Sequence, residues 1–150
     1  MQAHAQMAKR VFVLNGPNLN LLGSREPEIY GADTLDDIAA RLTDRAAELG
    51  VEIDVRQSNH EGHLIDWLHD AATTGAAAVI LNAGGYTHTS VALRDAVAAI
   101  PVPVIEVHLS NPAAREPFRH HSLLSAVCKG TITGLGAHGY LLALDAAARL

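Results

Sequence analysis

Five short apolar runs, each closed by a turn-former and most followed by a helix-like stretch, constrain this chain more than any single residue. The runs are "KRVFVLN" (9–15), "VEIDVRQ" (51–57), "AAAVILN" (76–82), "VPVIEVHLS" (102–110) and "GTITG" (130–134). Between them, "ADTLDDIAARLTDRAAELG" places Leu35, Ile38, Ala39, Leu42, Ala46 and Leu49 on one helical face. Thr34 and Asp37 form a variant capping box at its start, and Gly50 is a natural stop. "HEGHLIDWLHDAATTG" repeats the pattern with Leu64, Ile65, Leu68, Ala71 and Ala72 and ends at Gly75, and "TSVALRDAVAAI" ends at Pro101. "GYLLALDAAARL" supplies a last helix, and "NPAAREPFRHH" is a proline-punctuated loop with room for a helical turn. Strands joined by single helices and short turns require a mostly parallel sheet covered on both faces. The expected fold is therefore α/β: a flavodoxin-like, doubly wound, five-stranded parallel sheet with helices on both faces. Residues 9–150 form one domain, and residues 1–8 form a frayed tail in which His4 is inert.

Composition narrows the function. At 150 residues and 49% hydrophobic, the chain buries a substantial core, and its formal charge of −5 argues against a nucleic-acid partner. A lone cysteine, Cys128, rules out an internal disulfide framework and suits a reducing, cytoplasmic setting. No apolar run reaches membrane-spanning length, and "MQAHAQMAKR" lacks the apolar centre of a signal peptide.

In an open α/β sheet, ligands bind beyond the carboxyl ends of the strands, so the residues following each run are the candidates. They are Asn15 and Asn18 after the first; Asn59, His60 and Glu61 after the second; Asn82, Gly84, Gly85 and His88 after the third. The fourth run carries Glu106 and His108, two apart and so on one face. On an interior strand such a pair is costly unless its members meet each other or a ligand; on an edge strand both would be solvated. A glutamate orienting a histidine is the usual support for an imidazole acid or base. Gly84 and Gly85 permit close backbone approach, and helix starts after them and after Ser110 would offer amides to a small carboxylate or phosphate. A solvated loop capped by Thr or Ser is the alternative at that point.

Two signals are set aside. "GLGAHG" fits a dinucleotide-binding glycine pattern, but no second strand and no acidic residue follow at the required distance. The nine histidines show no metal-ligand spacing: His63 and His69 read as surface residues, and His120 and His121 diverge. Lys9 and Lys129, the only lysines, do not follow the carboxyl end of a strand, which leaves Schiff-base chemistry without a nucleophile. "GSREPEIYG" (23–31) has neither strand nor helix periodicity, yet sets Arg25 five residues from Tyr30.

Three segments, "LNGPNLNLLGSREPEIYG", "LNAGGYTHTSVALRDA" and "IEVHLSN", resemble the ordered motifs of the type II 3-dehydroquinate dehydratases. The resemblance runs from about residue 10 to the last helix. It implies a flavodoxin-like fold, no cofactor or metal, a homododecamer of four trimers, and dehydration of 3-dehydroquinate to 3-dehydroshikimate by anti elimination through an enolate. By motif position it implies Tyr30 as base, Arg25 as the charge that holds its phenolate, and Asn18 as holder of the water at the enolate oxygen. His108 becomes the general acid and Glu106 its orienting partner. Asn82, His88 and Arg119 would contact substrate, the amides of Leu109 and Ser110 would take its carboxylate, and Asp95 would enter from a neighbouring subunit. Arg115 sits near the mobile loop without a firm role. The 23–31 stretch then reads as a lid. Two alternatives fit the residues less fully: a metal-dependent lyase or hydrolase using Glu106, His108 and His88, and a non-enzymatic flavodoxin-like module binding a nucleotide or flavin.

Overall fold

The computed structural model describes residues 8–150. The expected tail, His4 included, lies outside these residues apart from Ala8, which is exposed. Strands β1 (Arg10–Asn15), β2 (Glu52–Gln57), β3 (Ala78–Asn82), β4 (Val104–His108) and β5 (Gly130–Thr133) form one sheet in the order β2-β1-β3-β4-β5. Every neighbouring pair is parallel. The chain steps from β1 to one side and then crosses to the other, so the strand order reverses between β1 and β3. A ligand site is expected above that point, because loops leaving these two ends run in opposite directions and part.

The alternation along β1 builds two cores. Val11 and Val13 face one side, where they pack with Ile38 and Leu42 of α2 (Leu35–Leu49) and Tyr140 and Leu144 of the final helix (His138–Ala147). Phe12 and Leu14 face the other, against Leu64 and Leu68 of α3 (Glu61–Thr73) and Leu93 and Val97 of α4 (Val91–Ala99). The final helix is α5. β1, β3 and β4 are covered on both faces, which is why they read as continuous apolar runs rather than alternating ones. β2 is an edge strand and half-buried over most of its length, in keeping with its clean alternation. Among the described residues no helix is long and apolar enough to cross a membrane.

The helix boundaries follow local chemistry. Thr34 Oγ1 accepts from the Asp37 amide at 3.1 Å while Asp37 Oδ2 accepts from the Thr34 amide at 3.0 Å, a complete capping box. Gly50 closes α2 with φ of 70°, a left-handed conformation that glycine adopts at little cost. The stretch 23–31 differs from expectation, for Pro27–Tyr30 makes one turn of α-helix, here α1. Pro27 presets its first residue and Gly31, at φ 87°, ends it with its amide 2.8 Å from the Pro27 carbonyl. Four residues are too few for apolar periodicity to register. "GLGAHG" is a turn that ties β5 back to β4: the Gly134 amide reaches the His108 carbonyl at 3.2 Å and that of Gly136 the Leu109 carbonyl at 3.0 Å. The proline-rich loop holds two 3-10 turns, Pro112–Ala114 and Pro117–Arg119.

β1 and β3 meet closely where they end. The Gly16 amide donates to the Asn82 carbonyl at 2.8 Å, and a Cβ at Gly16 would lie 2.6 Å from the Ala83 carbonyl oxygen. Only hydrogen fits there without moving backbone. Gly16→Ala is therefore expected to lower stability by about 1–3 kcal/mol in urea denaturation. An unchanged midpoint would show that the two strand ends separate freely.

Candidate active site

A cavity of about 150 Å³ opens where β1, β3 and β4 end. Asn18 and Leu19 come from the loop after β1, and Arg25 and Tyr30 from the segment around α1. Asn82, Gly84, Gly85 and His88 follow β3, while His108, Leu109 and Ser110 follow β4. Arg115 and Arg119 complete the wall from the proline-rich loop. Three guanidiniums and no carboxylate line this space, so its field favours an anionic ligand.

Glu106 and His108 lie on an interior strand, as the hydrophobic flanks of β4 require, with 0% and 9% of their surface exposed. They meet: His108 Nε2 is 2.5 Å from Glu106 Oε2. Glu106 also accepts from Ser122 Oγ at 2.8 Å, Ser125 Oγ at 2.6 Å and, more weakly, Thr131 Oγ1 at 3.4 Å. Burial works to raise its carboxyl pKa, but the bonds from His108 and the two serines, with the charge on His108, outweigh burial and hold it below the ordinary value. Glu106 therefore stays ionised and fixes the imidazole through Nε2, leaving Nδ1 as the ring nitrogen not committed to the carboxylate. The carboxylate does not line the main cavity; it borders an adjoining one behind His108.

Tyr30 lines the same cavity from the segment around α1, with two cations at its ring. The Arg25 and Arg115 guanidinium carbons lie 4.7 and 5.0 Å from the ring centroid. Arg115 is anchored by a 3.2 Å bond to Ser110 Oγ and an ion pair with Glu116, which also takes a 3.1 Å bond from Arg119 Nε. Arg25 and Tyr30, five residues apart in sequence, thus approach each other in the fold. The His88 and His108 rings stack with centroids 6.5 Å apart, and His88 Nδ1 is 2.8 Å from the His121 carbonyl oxygen.

Several candidates lie elsewhere. Asp95 is exposed on α4 beside Arg94 and does not line the cavity. Of the residues after β2, Asn59 accepts from the Asn18 amide and from Gln57, and Glu61 bonds Ser90. They brace the loop beside the site rather than enter it. The helix start expected after Gly84–Gly85 is displaced by a 3-10 turn, Gly84–His88; Ser90 caps α4 with its own hydroxyl, outside the cavity. His63 and His69 are exposed, as expected, with His63 bonded to Ser58. Among the described residues no group of three His, Cys, Asp or Glu side chains is placed to hold a metal. Burial, with the negative charge of Glu106, pushes the Cys128 thiol up to about 12, so it is no nucleophile.

Residue spacing gave no sign of Ser122, Ser125 and Thr131, which reach Glu106 from up to 25 positions away. It also passed over Tyr140, whose hydroxyl joins Asn15 and Asn82 beneath the cavity. A buried tyrosine on an otherwise aliphatic helix, needing a partner for its hydroxyl, is the signal that points to it.

Because the folded Glu106 carboxyl titrates below its ordinary 4.5, its stabilisation is fully present above that pH and is lost as pH falls through the folded value. Glu106→Gln is expected to be less stable than the wild type at neutral pH. The gap should narrow below about pH 4.5 in urea denaturation series. A gap independent of pH would contradict an ionised Glu106.

The chain matches the family model described as dehydroquinase class II over residues 9–148. It is 59% identical over 140 residues to the 3-dehydroquinate dehydratase of Rhizobium johnstonii, covering 93% of this chain and 96% of that one. It is 62% identical over 146 residues to the 3-dehydroquinate dehydratase of Chelativorans sp. (strain BNC1), covering 96% and 100%. The crystal structure of type II dehydroquinase from Propionibacterium acnes superposes with a TM-score of 0.92 at 49% identity, over 96% of this chain and 99% of that one.

Proposed function

The chain belongs to the class II dehydroquinase family and is a hydro-lyase, and we propose that it interconverts 3-dehydroquinate and 3-dehydroshikimate by anti elimination of water through an enolate. The observation that carries the mechanism is the presence, in one small cavity, of a glutamate-held imidazole and a tyrosine flanked by two guanidiniums. Removing a proton next to a ketone needs a base, an acid for the leaving hydroxyl and a group to steady the enolate.

In this proposal Tyr30 is the base. Its oxygen must shed a proton before it can take one, and Arg25, whose guanidinium stands at the ring together with that of Arg115, is assigned to hold the phenolate. His108 gives the proton from Nδ1 to the departing hydroxyl, with Glu106 holding the ring through Nε2. Asn18 holds a water at the enolate oxygen. Asn82, His88 and Arg119 contact the substrate hydroxyls, and the amides of Leu109 and Ser110 receive its carboxylate, in keeping with a cavity rich in arginine. Side chains carry every step, so no cofactor or metal enters. α1, which carries Tyr30, is a single exposed turn between Glu26 and Gly31, both at positive φ, a construction suited to closing over the substrate and excluding water from the enolate. We further propose that 9–150 is one catalytic domain and that the enzyme works in the cytoplasm as a homododecamer of four trimers. Asp95, exposed on α4, would then reach a neighbouring subunit's cavity. The reaction would serve the shikimate pathway or quinate breakdown.

Each proton-transfer partner is typically worth about 10²- to 10⁴-fold in rate. Tyr30→Phe and His108→Ala are each expected to lower kcat for 3-dehydroquinate by at least about 10²-fold. Formation of the conjugated enone would be followed by ultraviolet absorbance, and circular dichroism should stay unchanged. Near-normal rates in either variant would remove the assigned roles. Borohydride added with substrate should leave the protein mass unaltered; a covalent adduct would mean lysine chemistry instead.

A further inference from the structure

Below the cavity floor, four hydrogen bonds run in series from one strand end to another. Each end of the series is a backbone group whose polarity cannot change. At one end the Gly84 amide donates to Asn82 Oδ1 at 3.2 Å; at the other Asn15 Nδ2 donates to the Arg56 carbonyl at 3.1 Å. Between them Asn82 Nδ2 donates to Tyr140 Oη at 2.9 Å, and Tyr140 donates to Asn15 Oδ1 at 2.6 Å. Turning over either amide would set a carbonyl against a carbonyl or an N–H against an N–H. The direction of every bond is therefore fixed by the Gly84 amide and the Arg56 carbonyl together.

We propose that Tyr140 is a positioning residue for the reaction: its hydroxyl locks the Asn82 amide so that the second Nδ2 proton is the donor Asn82 offers to an acceptor oxygen of the substrate. The inference rests on the substrate-contact role given to Asn82 above. Three features support it beyond the bonds themselves. Tyr140 is fully buried, and Asn15 and Asn82 are nearly so, so water does not substitute for a missing partner. Burial raises the Tyr140 pKa against the opposing bond from Asn82, so the hydroxyl keeps the proton that it donates. Asn15 and Asn82 are also direct partners in the register of β1 and β3, which places the tyrosine at the point where the strand order reverses. A phenylalanine would fill the same space in the core formed with Ala143 and Leu144 but could neither accept from Asn82 nor donate to Asn15.

In such a variant Asn82 keeps only the Gly84 amide as an anchor and loses its preferred rotation. Tyr140→Phe is expected to raise KM for 3-dehydroquinate by about tenfold, the worth of one such bond, with a smaller change in kcat. In an Asn82→Ala background the same substitution should add nothing further to KM, because Tyr140 acts through that amide. An unchanged KM in the single variant, or a full additional loss in the double one, would overturn the proposal. Side-chain amide exchange in the free wild-type protein, read by nitrogen-15 NMR, needs neither a variant nor the reaction. One Asn82 Nδ2 proton should exchange slowly and the other quickly, whereas two equally fast protons would refute the lock. Absence of turnover by the wild-type enzyme would overturn the dehydratase assignment and leave this NMR result to decide the lock.

Discussion

An ionised carboxylate with no exposed surface, set in the middle strands of a sheet, is the constraint around which this site is built. Such a charge costs several kcal/mol unless its lone pairs are met by good donors. Glu106 has His108 beside it on the same strand face and serine hydroxyls from the segment that leads into β5. Ser122 illustrates how tightly this is arranged: its oxygen accepts from the Leu124 and Ser125 amides at 3.1 Å each, so its one proton is left for the carboxylate. The segment before β5 is thus shaped by the need to compensate a charge on the preceding strand, 16 to 19 positions earlier. The imidazole inherits its orientation from that compensation.

Tyr30 is held by different physics. Glu106 and His108 belong to the sheet, whereas Tyr30 belongs to a one-turn helix between two residues of positive φ, and its neighbours are cations rather than hydrogen-bond partners. In the proposed mechanism the acid sits on a strand and the base on a one-turn helix, which suits a reaction in which the acid must be aimed and the base must be covered. It also explains why the arginines matter twice, as charge beside the ring and as part of the wall that draws in an anion.

Much of this was legible in the sequence because strands and helices announce themselves by period. β1 through β5 fall inside the five apolar runs, and Thr34, Gly50 and Pro101 mark helix limits where expected. The pairing of Glu106 with His108 was legible for the same reason, since two residues apart on a buried strand share a face. What stayed hidden depends on contacts without a period. α1 is shorter than the pattern that would reveal it, and Arg115 reaches Tyr30 only because a proline-rich loop folds back. The serines around Glu106 and the tyrosine beneath Asn82 are joined to their partners across 16 to 125 positions. Apart from Asp95 and Glu106, the residues named by motif resemblance line the cavity, but the network holding them in place emerged only from the fold.

In the proposed mechanism His108 as acid and Tyr30 as base act on opposite faces of the substrate, which dictates the stereochemistry of the elimination. The direct measurement uses 3-dehydroquinate carrying deuterium at one or the other hydrogen position next to the ketone, with the label in the product read by mass spectrometry. The proposed anti elimination predicts loss of the deuterium anti to the departing hydroxyl and retention of the one syn to it. Loss of the syn deuterium would place base and acid on the same side of the substrate and contradict the mechanism.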